Sequence, residues 1–286
     1  MAQPLTLDHV GLVVPDLDIA RSGYEDLGFC LTRRSSHKGR LTPDGPIEPW
    51  GSGNHCAMFR GGYLEILGVT DPVRHHAHVT ARLARYHGLQ LVALGCQDAD
   101  RLQRDLSARE PSVHPVSELG RDVPHGEGTQ PGLFRIVHLD DEAFPEAELF
   151  FIEHATPDVL WQPALLDHPN GVTGLADITI CSADPEETGA RLTRFTGVAA
   201  TARDEWTTIR LARGSLSVGS PDAVASRFPA ISLPAVPCVA AVTCTVGDPG
   251  RTRACLDERG IGFETTDAGL WVGPEWACGA ILEFVS

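Results

Sequence analysis

One pattern occurs four times along this chain, and it leaves few folds open. Each copy runs strand, tight turn with an aspartate, helix, then further strands. The first opens with "LDHVGLVVPDLDIARSGYEDLGF". Its apolar residues alternate, the chain turns at Pro15-Asp16, and a helix is expected from about Leu17 to Asp26. Asp16 or Asp18 suits the helix N-cap and Gly28 the stop. The strand-like runs "FCLTRRSS", "NHCAMFRG" and "YLEILGV" complete a βαβββ unit. The second copy begins at "LQLVALGCQDADRLQRDLSARE" and closes with "LFRIVHLD" and "ELFFIEHA". The third runs from "LADITICSADPEETGARLTRFTG" to "WTTIRLARGSLSVGS", the fourth from "VAAVTCTVGDPGRTRACLDERGIGF" to "LWVGPEWACGAILEFVS". Asp16, Asp98, Asp184 and Asp248 mark the same point in each copy. Repeated supersecondary units fix the architecture early, because each must bury its apolar face on a neighbour.

The Pro- and Gly-rich stretch "HATPDVLWQPALLDHPNGVTG" separates the first two copies from the last two. The expected division is an N-terminal domain over 1–158, a linker over 159–172 and a C-terminal domain over 173–286. "SRFPAISLPAVPC" bridges copies three and four, and "RLTPDGPIEPWGSG" and "VSELGRDVPHGEGTQPG" read as long loops. The net charge of −15 speaks against nucleic acid and anionic membranes, which need clustered Lys and Arg. The N-terminus lacks the basic start and cleavage site of a signal peptide, so a cytoplasmic protein is expected. The eight cysteines include no C-x-x-C pair, which favours buried free thiols over a structural zinc site.

Four paired βαβββ units, with "LDHVGL", "GSGNHCAMFRGGYLEIL" and "DHPNG" in this order, resemble the vicinal oxygen chelate superfamily, which includes glyoxalase I, extradiol dioxygenases and bleomycin-resistance proteins. The resemblance covers nearly the whole chain and is closest to glyoxalase-like proteins. It implies an α+β fold in which four modules pair into two half-open β-barrels. It also implies a divalent metal ion in the cup of a barrel, held by the first and last strands of each module. The fold hosts many chemistries, so reaction type has to be argued from the site.

Strand alternation can be set against that implied site. Val10, Leu12 and Val14 share one face, which turns His9 and Gly11 the other way. Leu64 and Ile66 face the helices, which points Glu65 into the cup. A carboxylate in so apolar a strand needs a partner, since burying it alone costs several kcal/mol. Equivalent offsets in module two select Leu91 and Glu153, with Phe150 and Ile152 toward the helices and His154 pointing away. The expected metal set is therefore His9, Glu65 and Glu153, with Leu91 in the fourth place and the ion (Fe, Mn, Ni, Zn or Co) left open. His37 is a candidate further ligand or base. Tyr63, Asn54, His55 and Arg121 are candidate substrate contacts. In the C-terminal pair the equivalent positions are Asp177, Ser217, Ala241 and Glu283, which reads as a degenerate, metal-free copy. "RHHAH", with His75, His76 and His78, reads as the start of an exposed helix, and His168 as part of a structural turn.

The function expected from this set is a divalent-metal-dependent enzyme acting on a small oxygenated substrate. The metal would stabilise an oxyanion, and Glu153 or His37 would move a proton, as in an isomerase, epimerase or lyase. With Fe(II) the same cup would serve a ring-cleaving dioxygenase. The alternative is a metal-free small-molecule binding or resistance protein, which Leu91 favours. No P-loop, Rossmann glycine fingerprint or Ser/His/Asp signature is present. Monomer and homodimer are both compatible with four modules in one chain.

Overall fold

The computed structural model describes residues 3–42 and 45–286. Module one comprises β1 (Thr6–Val13), α1 (Leu17–Asp26), β2 (Ser35–Gly39), β3 (Glu48–Phe59) and β4 (Gly62–Val69). After α2 (Ala77–Leu83), module two comprises β5 (Gly88–Gly95), α3 (Ala99–Ser107), β6 (Ser117–His125), β7 (Gly128–His138) and β8 (Glu148–His154). The short helix α4 (Pro157–Leu160) leads to module three: β9 (Val172–Cys181), α5 (Pro185–Thr196), β10 (Thr201–Arg203), β11 (Trp206–Arg210) and β12 (Ser215–Gly219). Helix α6 (Pro221–Arg227) precedes module four, with β13 (Cys238–Val246), α7 (Pro249–Glu258), β14 (Glu264–Thr266), β15 (Gly269–Val272) and β16 (Ile281–Val285).

The four turn aspartates explain why the units repeat. Asp16, Asp98, Asp184 and Asp248 each cap the following helix, accepting hydrogen bonds from the free N–H groups of its first turn. Gly28 ends the first helix turn with φ of 83°, a left-handed conformation that glycine adopts without strain.

Each pair of modules forms one eight-stranded sheet, ordered β2-β3-β4-β1-β5-β8-β7-β6 and β10-β11-β12-β9-β13-β16-β15-β14. Within a module the first and last strands run parallel, and the two first strands of a pair run antiparallel at the sheet centre. The edges of the N-terminal sheet come together: Lys38 on β2 pairs with Asp122 on β6 at 2.8 Å. A single apolar core joins the two sheets, with Leu12, Tyr24, Leu102, Phe151, Ile178, Phe195 and Leu256 among its members. Smaller apolar clusters fill the two concave faces. The eight cysteines are all free.

Several segments differ from their sequence reading: β2 lies beyond most of "FCLTRRSS", and β3 already begins at Glu48 within "RLTPDGPIEPWGSG". "VSELGRDVPHGEGTQPG" is not a loop but the hairpin of β6 and β7, turning at Gly126. Its high content of Gly, Pro and charge conceals a strand pair whose inner residues line a cup. The interdomain stretch is also more than a tether. The Trp161 indole donates to Phe59 O at 2.9 Å, and the Gln162 amide to Pro124 O at 2.9 Å, so the segment is laid across the N-terminal barrel. His168 sits inside it as a structural group, with Nδ1 accepting from Cys30 N and Nε2 donating to Met58 O.

Candidate active site in the N-terminal cup

Counting back seven residues from each capping aspartate reaches His9, Leu91, Asp177 and Ala241, the equivalent inward positions of the four first strands. Two residues later stand Gly11, Ala93, Thr179 and Thr243, whose partners on the parallel closing strands are Glu65, Phe150, Ser217 and Glu283. This register fixes what each module offers its cup. Module one offers His9 and Glu65; module two offers only Leu91 and Phe150. Gly11 is needed there, because a Cβ on it would meet the Leu91 Cβ at 2.9 Å.

Glu153 is accordingly misplaced in the sequence reading. Phe150 and Ile152 point into the cup beside Cys56, Met58 and Tyr63, while Leu149 and Phe151 join the helix-side core. Glu153 points outward with them. Its carboxylate accepts from Ala99 N at 2.8 Å, at the start of α3, and lies 3.4 Å from Arg135. His154 takes the inward direction instead. His55 also faces outward: its Nδ1 lies 2.8 Å from Thr32 O, while its neighbours Asn54 and Cys56 face the cup.

The inward residues form two connected groups. The first is a chain of three side chains. Asp8 Oδ1 lies 2.7 Å from His9 Nδ1, and its two oxygens lie 3.0 and 3.1 Å from His154 Nε2. Asp8 and His9 are almost fully buried. Burial alone would raise the Asp8 pKa, but the hydrogen bonds and charges of His154 and His9 outweigh it and hold the carboxyl well below its ordinary range. An ionised carboxylate only accepts, so His9 Nδ1 carries the shared hydrogen, and in the neutral imidazole Nε2 is the acceptor. That Nε2 faces the Tyr63 hydroxyl at 3.5 Å, and the two rings stack with centroids 4.2 Å apart.

The second group surrounds Glu65. The Asn54 amide donates to Glu65 Oε1, while Asn54 Oδ1 is buried with no hydrogen-bond partner. Burial pushes the Glu65 pKa up, but His9, His37, Arg121 and the Asn54 hydrogen bond together bring it below the ordinary value. His37 Nδ1 lies 3.0 Å from Ser52 Oγ. Burial pushes its pKa down to about 4, which makes it neutral at pH 7. Arg121, from β6, places its terminal nitrogens 3.8 Å from the Cys56 thiol and its guanidinium over the Phe134 ring. Arg121 Nε is shut off from solvent with no hydrogen-bond partner among the described residues. His75 and His78 stand beside this group, stacked on each other and edge-on to Trp50, so the "RHHAH" stretch is only partly the exposed helix start expected.

Does this cup suit the expected metal? His9 and Glu65 bring two donors, Leu91 and Phe150 none, and Glu153 lies on the other face of its strand. Among the described residues no three His, Cys, Asp or Glu side chains stand together as a metal-holding group. A guanidinium also occupies the cup, and it would repel a divalent ion. The residues therefore do not fit a three-ligand metal centre.

The C-terminal cup holds a different arrangement. Arg227, at the end of α6, donates to Glu283 and lies 3.3 Å from Thr179 Oγ1, with Trp206 and Phe228 against its face. Asp177 accepts from Ser217 Oγ at 2.9 Å and from Ser215 Oγ at 2.5 Å. Sequence reasoning named Arg121 as a substrate contact and missed Arg227 altogether. Only the pairing of β6 with β7 and the position of α6 place both in the cups.

Paired βαβββ modules around two concave sheets define the vicinal oxygen chelate fold. Residues 7–196 match the glyoxalase-like domain family, and the chain belongs to that family. The match takes in the entire N-terminal cup. No curated protein matches the chain. Among solved structures, a hypothetical protein from Staphylococcus aureus is similar over 98% of both chains, with a TM-score of 0.65 and 13% identity. A triple mutant of 4-hydroxymandelate synthase from Streptomyces coelicolor is similar over 92% of this chain and 77% of that one, with a TM-score of 0.53 and 14% identity. An extradiol ring-cleaving dioxygenase from B. fuscum is similar over 100% and 73%, with a TM-score of 0.52 and 13% identity. At these identities the likeness is one of fold.

Proposed function

We propose that the N-terminal cup catalyses proton transfer at a carbon next to a carbonyl or carboxyl group of a small oxygenated substrate, as an isomerase, epimerase or lyase. The observation that carries this reading is the Asp8–His9 pair. Asp8 holds the neutral His9 in the tautomer that turns an accepting Nε2 toward Tyr63 in the cup, and His154 holds Asp8. The arrangement follows the logic by which a buried carboxylate orients a catalytic imidazole. His9 Nε2 takes the proton and, once charged, can return it. A positioned base of this type contributes about 10²–10⁴-fold. Negative charge then builds on the substrate oxygen. Arg121 supplies the positive charge for it, the part the sequence reading assigned to a metal. The Asn54 amide holds Glu65 fixed beside the reacting centre.

The test needs no knowledge of the product. Small 2-oxo and 2-hydroxy acids are incubated with the protein in heavy water, and loss of the proton next to the carbonyl or carboxyl group is followed by NMR. Exchange is expected with the native protein and not with His9→Gln. Equal exchange by both would end the proposal. A second reading, a binding protein without turnover, draws on the apolar half of the cup formed by Leu91 and Phe150. Its signature is saturable binding with no exchange.

A further inference from the structure

Arg121 forms one wall of a cavity of about 230 Å³, and among the described residues it makes no ion pair, Glu65 acting on it only through space. Its Nε has no hydrogen-bond partner among the described residues, and its terminal nitrogens touch only the Cys56 sulfur, a weak acceptor. Burial pushes the Cys56 thiol up to about 11, so it is neutral at pH 7 and balances nothing. A half-buried guanidinium whose Nε is shut off from solvent leaves N–H groups to be satisfied by a ligand. The planar fork of an arginine matches a carboxylate, two N–H groups to two oxygens. An apolar part of the cavity, with Leu31, Met58, Val123, Leu160 and Leu165, lies beside a polar part to which Arg33 adds a second guanidinium. A cavity of about 150 Å³ holds a benzene molecule, so this one has room for a single ring with a small substituent. Leu160 and Leu165 come from the interdomain segment, which its bonds to Phe59 and Pro124 hold against the barrel.

We propose that this cavity binds a monocarboxylate with one ring, or a branched aliphatic body of the same size, its carboxylate on Arg121 and its apolar body against Met58 and Leu160. This rests on the proposed function in taking the N-terminal cup as the reaction site, and it names the substrate class. The probe is para-fluorobenzoate, titrated into the full-length protein and followed by fluorine NMR, beside para-fluorobenzyl alcohol and inorganic phosphate. Saturable binding of the benzoate is expected, with the alcohol at least about tenfold weaker and no displacement by phosphate. Arg121→Met, which keeps length and removes charge, lowers benzoate affinity by at least about tenfold. Leu160→Trp, which fills the apolar end and leaves the arginine, lowers it as well. Equal binding of acid and alcohol, or displacement of the benzoate by phosphate, would overturn the proposal. So would unchanged binding in either variant. Should Arg121→Met fail to fold, the acid–alcohol comparison and Leu160→Trp still decide. Absence of deuterium exchange would sink the proton-transfer reading and leave a carboxylate site standing. Exchange on acids that do not compete with para-fluorobenzoate would do the reverse.

Discussion

Arg227 donates directly to Glu283 inside the C-terminal cup, whereas Arg121 and Glu65, the arginine and closing-strand glutamate of the N-terminal cup, make no ion pair. One cup closes its charges in a direct ion pair and the other leaves them apart. The difference predicts unequal effects on stability. Arg227→Leu leaves Glu283 buried and unpaired, and should cost about 3 kcal/mol in urea unfolding. Arg227→Leu combined with Glu283→Leu should recover most of that loss. Arg121→Met should cost less than Arg227→Leu, because it breaks no ion pair and removes only a through-space attraction to Glu65. Comparable losses at the two arginines would mean that Arg121 has a structural partner in solution.

Asp8→Asn should damage the fold and the cup together. The native carboxylate accepts from two imidazoles, and hydrogen bonds to charged groups contribute about 1.5–3 kcal/mol each. Because the folded pKa of Asp8 lies below its ordinary 3.8, this stability is present above pH 3.8 and is lost as pH falls below it. Acid unfolding of the native protein should carry this term, and Asp8→Asn should lack it. Nitrogen NMR of labelled histidine gives a second check. His9 should carry its hydrogen on Nδ1 in the native protein and lose that preference in the variant. An unchanged His9 tautomer would remove the basis for calling it an oriented base.

Much of this was legible because local chemistry and global fold agree. The caps at Asp16, Asp98, Asp184 and Asp248 and the period-two strands specified the four modules. His9 and Glu65 were legible because each interrupts an apolar strand whose opposite face is unambiguous. Glu153 was not. In "ELFFIEH" the residues Leu149 and Phe151 are as apolar as Phe150 and Ile152, since one set packs on the helices and the other fills the cup. Hydropathy cannot choose between two apolar faces, and a slip of one residue reverses every side chain. Arg121 was named as a substrate contact from its segment alone, but its unpaired state appears only once β6 curls around to β2.

Acid sensitivity above pH 4 should come from buried histidines, His37 and His78 foremost, with His55, His138 and His168 lowered in the same direction. Burial pushes His37 and His78 to about 4 each, below the ordinary 6.5. Between those values the unfolded chain binds protons that the folded chain refuses, so stability falls as pH drops from about 6.5 toward 4. His37→Gln should reduce the stability lost between about pH 7 and pH 5 by an amount on the order of 1 kcal/mol. The measurement is the urea midpoint at the two pH values. A pH dependence identical to that of the native protein would mean that His37 titrates freely at the cup mouth.

The sharpest separation between the two halves comes from their closing-strand glutamates. Glu65 sits among His9, His37, Arg121 and Asn54, whereas Glu283 is taken up by Arg227 and by Thr243 Oγ1 at 2.6 Å. Glu65→Gln should abolish deuterium exchange and change stability little, because Asn54 can still bond a neutral amide. Glu283→Gln should lower stability and leave exchange nearly unchanged. Metal analysis of the same proteins adds an independent axis. With two donors from one module and an arginine in the cup, the native protein should retain less than about a tenth of an equivalent of divalent metal after dialysis against a chelator. A full equivalent that disappears in Glu65→Gln would instead show that His9 and Glu65 recruit a third ligand, with His37 the nearest imidazole to supply it, and would return the positive charge in this cup from Arg121 to an ion.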